Sequence, residues 1–393
     1  MSIVASELVW RKSVEISDAG TNGGRMTHNV IVSSVKNNVF PDVPQAERAA
    51  GSSKFRKVFI HVANDNELSL IAPRVFVESR TPGDDSVCFH VGTQRNTQTQ
   101  LTGVEQKYGA GVLNAPAIIG ASTISVLTEG AALDVFKNAM KIRISDRATL
   151  EGAGNEEYVT IDGAPSYNGD VATFDITPVL ANDFAATTTK VASVYEPGDI
   201  AATVATFTKN GTGTYDETGY PVLCDSIATV EDDWTLTFTT ATTFTVSGTF
   251  SGAMGAGNTS SPPGFAPTNT HFSKPYFTLR AAGWGGTWTA GNTITFTTHP
   301  ASIPLWYKRI VPAGAASLSG NSVIVAVDGE SAEPWPSSLP PSKYRSQPKV
   351  WVNPPCRGTS TFLRRRRGRR KYPKVILSGR YAPTSAFSPS LTC

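Results

Sequence analysis

Trp234-Thr235-Leu236-Thr237-Phe238-Thr239 puts its apolar residues on one face and its threonines on the other. A period of two is that of an extended strand with one face buried and one face wet. Phe244-Thr245-Val246-Ser247 repeats the pattern after a short polar break, and Thr293-Ile294-Thr295-Phe296-Thr297 repeats it after Ala290-Gly291-Asn292. Asn321-Ser322-Val323-Ile324-Val325-Ala326-Val327 reads as a more fully buried strand. Between the zigzags lies Ser251 to Pro275, rich in Gly, Ser, Pro and Asn, which reads as a long loop.

Toward the N-terminus the same logic holds with shorter runs. Lys57-Val58-Phe59-Ile60-His61-Val62, Arg74-Val75-Phe76-Val77-Glu78 and Ser86-Val87-Cys88-Phe89-His90-Val91 combine β-branched and aromatic residues and are bounded by polar or turn residues. Thr81-Pro82-Gly83-Asp84-Asp85 is a turn cluster, and Pro41 to Ala50 suits one or two helical turns. In the middle, Ala131 to Met140 is the best helix candidate, followed by a strand at Lys141-Ile142-Arg143-Ile144. Tyr158-Val159-Thr160-Ile161 and Val171-Ala172-Thr173-Phe174-Asp175-Ile176 flank a loop containing Asp162-Gly163 and Asn168-Gly169, pairs that tolerate the positive φ of tight turns.

The chain changes character at Ala332. Residues 333–393 carry 13 basic residues and one acidic residue, Glu333, a net of +12. The preceding body carries 22 basic against 31 acidic residues, a net of −9. The whole-chain charge of +3 therefore averages two unlike objects. Charged residues make up 17% of the chain, below the roughly 25% of an average globular protein, and Thr, Ser, Asn and Gly fill the deficit. No apolar run approaches the roughly 18 residues of a membrane-spanning helix, and the first residues lack a basic-then-apolar secretory pattern. Cys88, Cys224, Cys356 and Cys393 show no metal or redox spacing and read as free thiols of a reducing compartment.

The expected class is mainly β: several small antiparallel sandwich-like or barrel-like units in series, with one or two short helices and a disordered or irregular C-terminal tail. The segments are an N-terminal β-rich domain (1–115), a small α+β or β-hairpin domain (116–200), an antiparallel β domain (201–332) and a Pro/Arg-rich tail (333–393). No fixed repeat supports a solenoid or propeller.

Catalytic signals are weak. His28, His61, His90, His271 and His299 are scattered; His61 and His90 both sit in strands, where packed imidazoles are commoner than ligands. Asp84-Asp85, Glu156-Glu157 and Glu231-Asp232-Asp233 are adjacent carboxylates, but neighbours in a strand point to opposite faces and do not make an acid/base pair. No nucleophile elbow, phosphate loop or dinucleotide fingerprint stands in a strand-to-helix context. No catalytic residue, metal site or cofactor is expected, and the chain reads as a non-enzyme. Trp284, Trp288, Trp306 and Tyr307 form a late aromatic cluster that serves either as a contact platform for sugars or partner subunits or as core filling.

The run Arg364, Arg365, Arg366, Arg367, Arg369, Arg370 and Lys371 suits phosphate neutralisation if the tail is native. Two rival readings stand beside it: plain disorder, and a reading-frame slip in GC-rich DNA, which yields Arg, Pro and Ser and erases hydrophobic periodicity. Nucleic acid is accordingly not an expected partner.

The opening Met1-Ser2-Ile3-Val4-Ala5-Ser6-Glu7-Leu8-Val9-Trp10 resembles the start of uncharacterised structural proteins of tailed phages and Mu-like prophages. Similar too are Lys54-Phe55-Arg56-Lys57-Val58-Phe59-Ile60-His61-Val62 and Val194-Tyr195-Glu196-Pro197-Gly198-Asp199-Ile200, and the stretch from Tyr276 through Gly283-Trp284-Gly285-Gly286-Thr287-Trp288 to Arg309. The resemblance covers about 1–332. It implies a tail or baseplate component in the virion, made in the host cytoplasm, with other virion proteins and copies of itself as partners and no membrane insertion. It implies no catalytic residues. Two other functions remain open: a carbohydrate-binding or adhesive β module, and a hydrolase of cell-wall glycan or peptide.

Overall fold

The computed structural model describes residues 2–129, 133–331, 349–352 and 391–392. The architecture is mainly β, built from antiparallel pairs. The first unit contains β1 (Leu8–Glu15), β2 (Gly23–Val30), helix α1 (Gln45–Ala50), β3 (Ser52–Val62), β4 (Leu70–Ser79) and β5 (Ser86–Val91). The second contains β6 (Lys107–Tyr108), β7 (Ala110–Leu113), β8 (Thr123–Leu127), β9 (Lys141–Ser145), β10 (Glu156–Asn168), β11 (Val171–Thr177) and β12 (Lys190–Ser193). Strands β7 to β12 close into a six-stranded barrel, while β6 adds to the edge of the first sheet beside β5.

The third unit is a five-stranded sheet in the order β13-β24-β16-β17-β18. Its strands are β13 (Thr203–Asn210), β16 (Asp232–Phe238), β17 (Thr243–Gly248), β18 (Gly252–Asn258) and β24 (Thr293–His299). Short strands lie around it: β14 (Gly213–Tyr215), β15 (Leu223–Cys224), β19 (Gly264–Phe265), β20 (Thr268–Asn269), β21 (Lys274–Pro275), β22 (Phe277–Arg280) and β23 (Trp284–Gly286). The zigzag reading is realised residue by residue. Trp234, Leu236 and Phe238 are buried, and they pair with Phe296, Ile294 and the β17 residues Gly248, Val246 and Phe244. These side chains make one core with Tyr215, Phe277, Leu279 and Trp288.

The chain then returns. Strand β25 (Ser302–Val311) inserts between β3 and β5 of the first unit, matching β3 at ten successive positions from Ser302 opposite His61 to Val311 opposite Ser52. Strand β26 (Ser322–Ser331) pairs with β4. One core joins Trp10, Val58, Ile60, Phe76, Phe89, Leu305 and Val325, so the six-stranded sheet and the β4–β26 ribbon form two layers around it. The third segment, read from sequence as 201–332, thus yields its last two strands to the first unit. Two described pieces of the tail, β27 (Lys349–Val352) and β28 (Leu391–Thr392), also pair with β26.

Three local expectations change. Asp134 to Met140 is not helical, and only Leu133 before it has a 3-10 conformation: Asp134 and Ala139 have φ of 51° and 64°, in the left-handed region. Its backbone bonds β10 instead, through Ala139 N–H to Ile161 O and Ile161 N–H to Met140 O, while Leu133, Val135 and Phe136 fill the barrel core. The first two residues of that stretch, Ala131 and Ala132, lie outside the described residues. The hairpin after Tyr158 turns only at Gly169-Asp170, because Asp162-Gly163 sits at a bulge within β10. The expected loop Ser251–Pro275 contains β18, a strand of Gly, Ala, Met and Asn that pairing with β17, not propensity, holds extended.

Candidate functional site

The aromatic cluster does not make a platform. Trp306 and Tyr307 are neighbours in β25, so they point to opposite sides of the sheet, and both sides are covered. Trp306 lies against Gly23 and Gly92 with its Nε1–H donated to Asn96 Oδ1 at 3.2 Å. Tyr307 joins the main core beside Trp10. Trp288 stacks on Phe238 at 4.1 Å, with ring planes 3° apart, over Gly213, where a Cβ would overlap the indole. Only Trp284 is partly exposed, edge-on to Tyr215 at 4.8 Å. Sugar stacking needs open ring faces, and three of the four rings are buried. The basic run from Arg364 to Lys371 lies outside the described residues.

Histidines and carboxylates serve the seams between units. His61 on β3 and His90 on β5 are separated by β25. Arg11 donates Nε–H to His61 Nδ1 at 2.7 Å, so the imidazole carries its proton on Nε2 and donates to Ser226 O at 2.8 Å in the third unit. Burial, and then the Arg11 charge, push His61 down to about 3, so it stays neutral. His28 and His271 stack at 3.8 Å across the same seam. Lys57, buried with Nζ–H bonds to Gly24 O and Asn96 O, is pushed down to about 7 by desolvation. Among the described residues no group of three or more His, Cys, Asp or Glu is placed to hold a metal ion. Cys88 and Cys224 are free thiols, both raised by burial; Cys356 and Cys393 lie outside the described residues.

The adjacent carboxylates divide their work. Glu231 accepts from Arg95 Nε at 2.6 Å and lies 2.6 Å from His299 Nδ1; Asp233 takes the Arg95 fork at 2.5 and 2.8 Å; Asp232 accepts the N–H groups of Phe250 and Ser251. Hydrogen bonding to Glu231 raises the His299 pKa. Glu156 meets Arg143 and Arg147, whereas Glu157 accepts from Ala181 N–H and Asn182. Glu78, at the end of β4, binds barrel residues Arg143 at 2.5 Å and Lys190 at 2.6 Å.

Asp84 and Asp85 lie where sequence reading puts a turn, yet they differ. Asp84 is exposed, and Asp85 is buried. Asp85 Oδ1 accepts from Asn321, and its Oδ2 has no hydrogen-bond partner among the described residues. Asp85 contributes to the lining of two cavities, one of about 570 Å³ at the sandwich–barrel seam and one of about 730 Å³ lined by residues of the first unit alone. Glu129 lines the smaller one, pushed up to about 8 chiefly by burial. Nothing in the sequence marks Asp85 and Glu129 as neighbours; the closing of the barrel against the sandwich brings them together.

Two outer surfaces complete the inventory. Strand β18 pairs with β17 alone among the described residues, and its seven residues include no charge. At one end of the barrel, Ile118, Ile119 and Val179 are exposed. Comparison of the chain with protein-family models, with curated proteins and with solved structures returned no match. No helix among the described residues is long and apolar enough to cross a membrane.

Proposed function

We propose that the chain is a structural component of a tailed-phage or prophage virion, of tail or baseplate type, which holds copies of itself and neighbouring virion proteins and catalyses nothing. The observation that carries this reading is the outer edge of β18. Sheet edges in soluble proteins are guarded by charge, proline or strong twist, because open N–H and C=O rows recruit other strands. The opposite edge, β13, carries Lys209 and a bulge. β18 is interrupted by a bulge but presents Gly252, Ala253, Gly255 and Ala256 with exposed backbone and no charge. That edge suits β-augmentation by a partner strand. The exposed Ile118, Ile119 and Val179 supply a second surface that assembly would cover.

The test is light scattering on the purified chain, alone and co-expressed with the products of flanking genes, together with mass spectrometry of purified particles. Ala256→Lys places a charge on the edge without touching the core. It should abolish oligomers or partner capture and leave the free energy of unfolding within about 0.5 kcal/mol of wild type. A chain that stays monomeric with every neighbour and is missing from particles overturns the proposal.

A further inference from the structure

Strand β18 is poorly suited to hold itself extended. Gly252 and Gly255 have φ of 76° and 87°, outside the β region, and glycine loses more chain entropy on ordering than any other residue. Its strand partner is β17 alone among the described residues, and a bulge interrupts that pairing between Val246 and Ser247. Its order therefore leans on its two ends. At the far end, the Phe244 and Phe265 rings lie where a Cβ on Gly257 would stand. At the near end is the turn Thr249-Phe250-Ser251, tied down by the buried Asp232: Oδ1 accepts Phe250 N–H at 3.0 Å and Oδ2 accepts Ser251 N–H at 2.8 Å. The same turn reaches out of its own unit. Phe250 is 45% exposed, yet two guanidinium groups of the first unit lie over its ring, Arg25 of β2 at 4.1 Å from the centroid and Arg95 at 5.2 Å. The third unit holds both in place: Arg95 forks Asp233 and bonds Glu231, and Arg25 is attracted by Asp232 and Glu231.

We propose that Phe250, clamped by Arg25 and Arg95, is a positioning residue for the β18 edge: while the first unit holds the turn, β18 stays extended and takes a partner strand, and when the clamp lets go the edge frays and takes none. This control presupposes the assembly role of β18 proposed above. A ring face attracts a guanidinium through its quadrupole, and two such contacts are enough to shift the opening equilibrium of a marginal strand. The mechanical link is short, since Ser251 alone separates Phe250 from Gly252, the first residue of β18. Coupling between two sites is reciprocal. A strand captured on β18 thus orders the turn and draws the third unit more firmly against the first.

Hydrogen exchange of the full chain, read by mass spectrometry on peptides spanning β18, tests the clamp with no partner present. Phe250→Ala should speed exchange across Gly252–Asn258 about fivefold or more and leave the opposite edge, β13, at the wild-type rate. Phe250→Leu keeps an apolar side chain but offers no ring face, so it should exchange nearly as fast as Phe250→Ala. Light scattering then reads the consequence: both variants should assemble more weakly than wild type, although no residue of β18 has changed. Wild-type exchange of β18 in Phe250→Ala overturns the proposal, and so does equal acceleration of β13, which marks a general loss of stability. Wild-type protection in Phe250→Leu overturns it as well, because packing and not the clamp is then the cause. Fast exchange with undiminished assembly does the same. A wild-type chain that never assembles defeats the assembly role itself, while the exchange rates still decide whether the clamp orders β18.

Discussion

The sandwich meets the barrel and the five-stranded unit through arginine–carboxylate pairs in both cases, but the Arg143 pairs are sealed where the Arg95–Asp233 pair is open to water. At the barrel, Arg143, Glu78 and Glu156 have side chains 1%, 3% and 7% exposed, with the guanidinium 4.6 Å over the Phe76 ring. At the five-stranded unit, Arg95 and Asp233 are 34% and 44% exposed. A sealed ion network contributes little net stability when complete, since desolvation offsets attraction, but removing one member strands the rest in a low dielectric. An exposed pair is screened and modest. The Arg143 network is therefore insensitive to salt, whereas the Arg95–Asp233 pair is a contact that solution conditions can adjust.

The difference is sharpest under mutation at the buried seam. Arg143→Met should cost about 3–5 kcal/mol by urea unfolding, because Glu78 and Glu156 lose their shared cation. Arg143→Lys should recover part of that, since it restores charge but not the fork. If both variants unfold at the wild-type midpoint, the two seams are alike and the comparison fails.

The exposed seam should respond far less. Arg95→Ala should cost about 1 kcal/mol or less in dilute buffer, and the deficit should shrink in molar salt. A salt-independent loss as large as that of Arg143→Met would mean that Glu231, itself only 4% exposed, dominates the seam.

At neutral pH the smallest effects come from two histidines that titrate with opposite sign. His61 is depressed to about 3 from 6.5, so its contribution is present above 6.5 and lost as pH falls toward 3. His299 is raised by Glu231, so its contribution is complete below the ordinary histidine value and disappears as pH rises through the raised one. Unfolding midpoints measured across this range should show less acid sensitivity in His61→Gln and a flatter profile near neutrality in His299→Gln. Parallel profiles in both variants and wild type would remove the histidines from the account.

What could be read in advance follows the range of the interactions. Trp234 to Phe238, Phe244 to Ser247 and Thr293 to Thr297 announce their strands because a period of two is local, and one buried face enforces it. Leu133 to Met140 misleads because Leu, Val and Phe in close succession suit a helix as well as an irregular plug, and only pairing with β10 decides. β18 is hidden by its glycines. The partners Glu78 and Arg143 lie 65 residues apart, and Arg95 and Asp233 138 apart, so no spacing rule connects them. Trp306 and Tyr307 carried a warning in their adjacency, which excludes a shared surface on one strand.

Strand β25 sets an order of events during synthesis. The barrel and the five-stranded unit have all their own strands once residue 299 has left the ribosome, whereas β3 and β5 are still waiting for the strand that lies between them. The first domain begun is thus the last completed, and until then its most apolar strands are two open templates. A nascent chain arrested shortly before Ser302 should need a chaperone for its N-terminal third while its later portions are already compact.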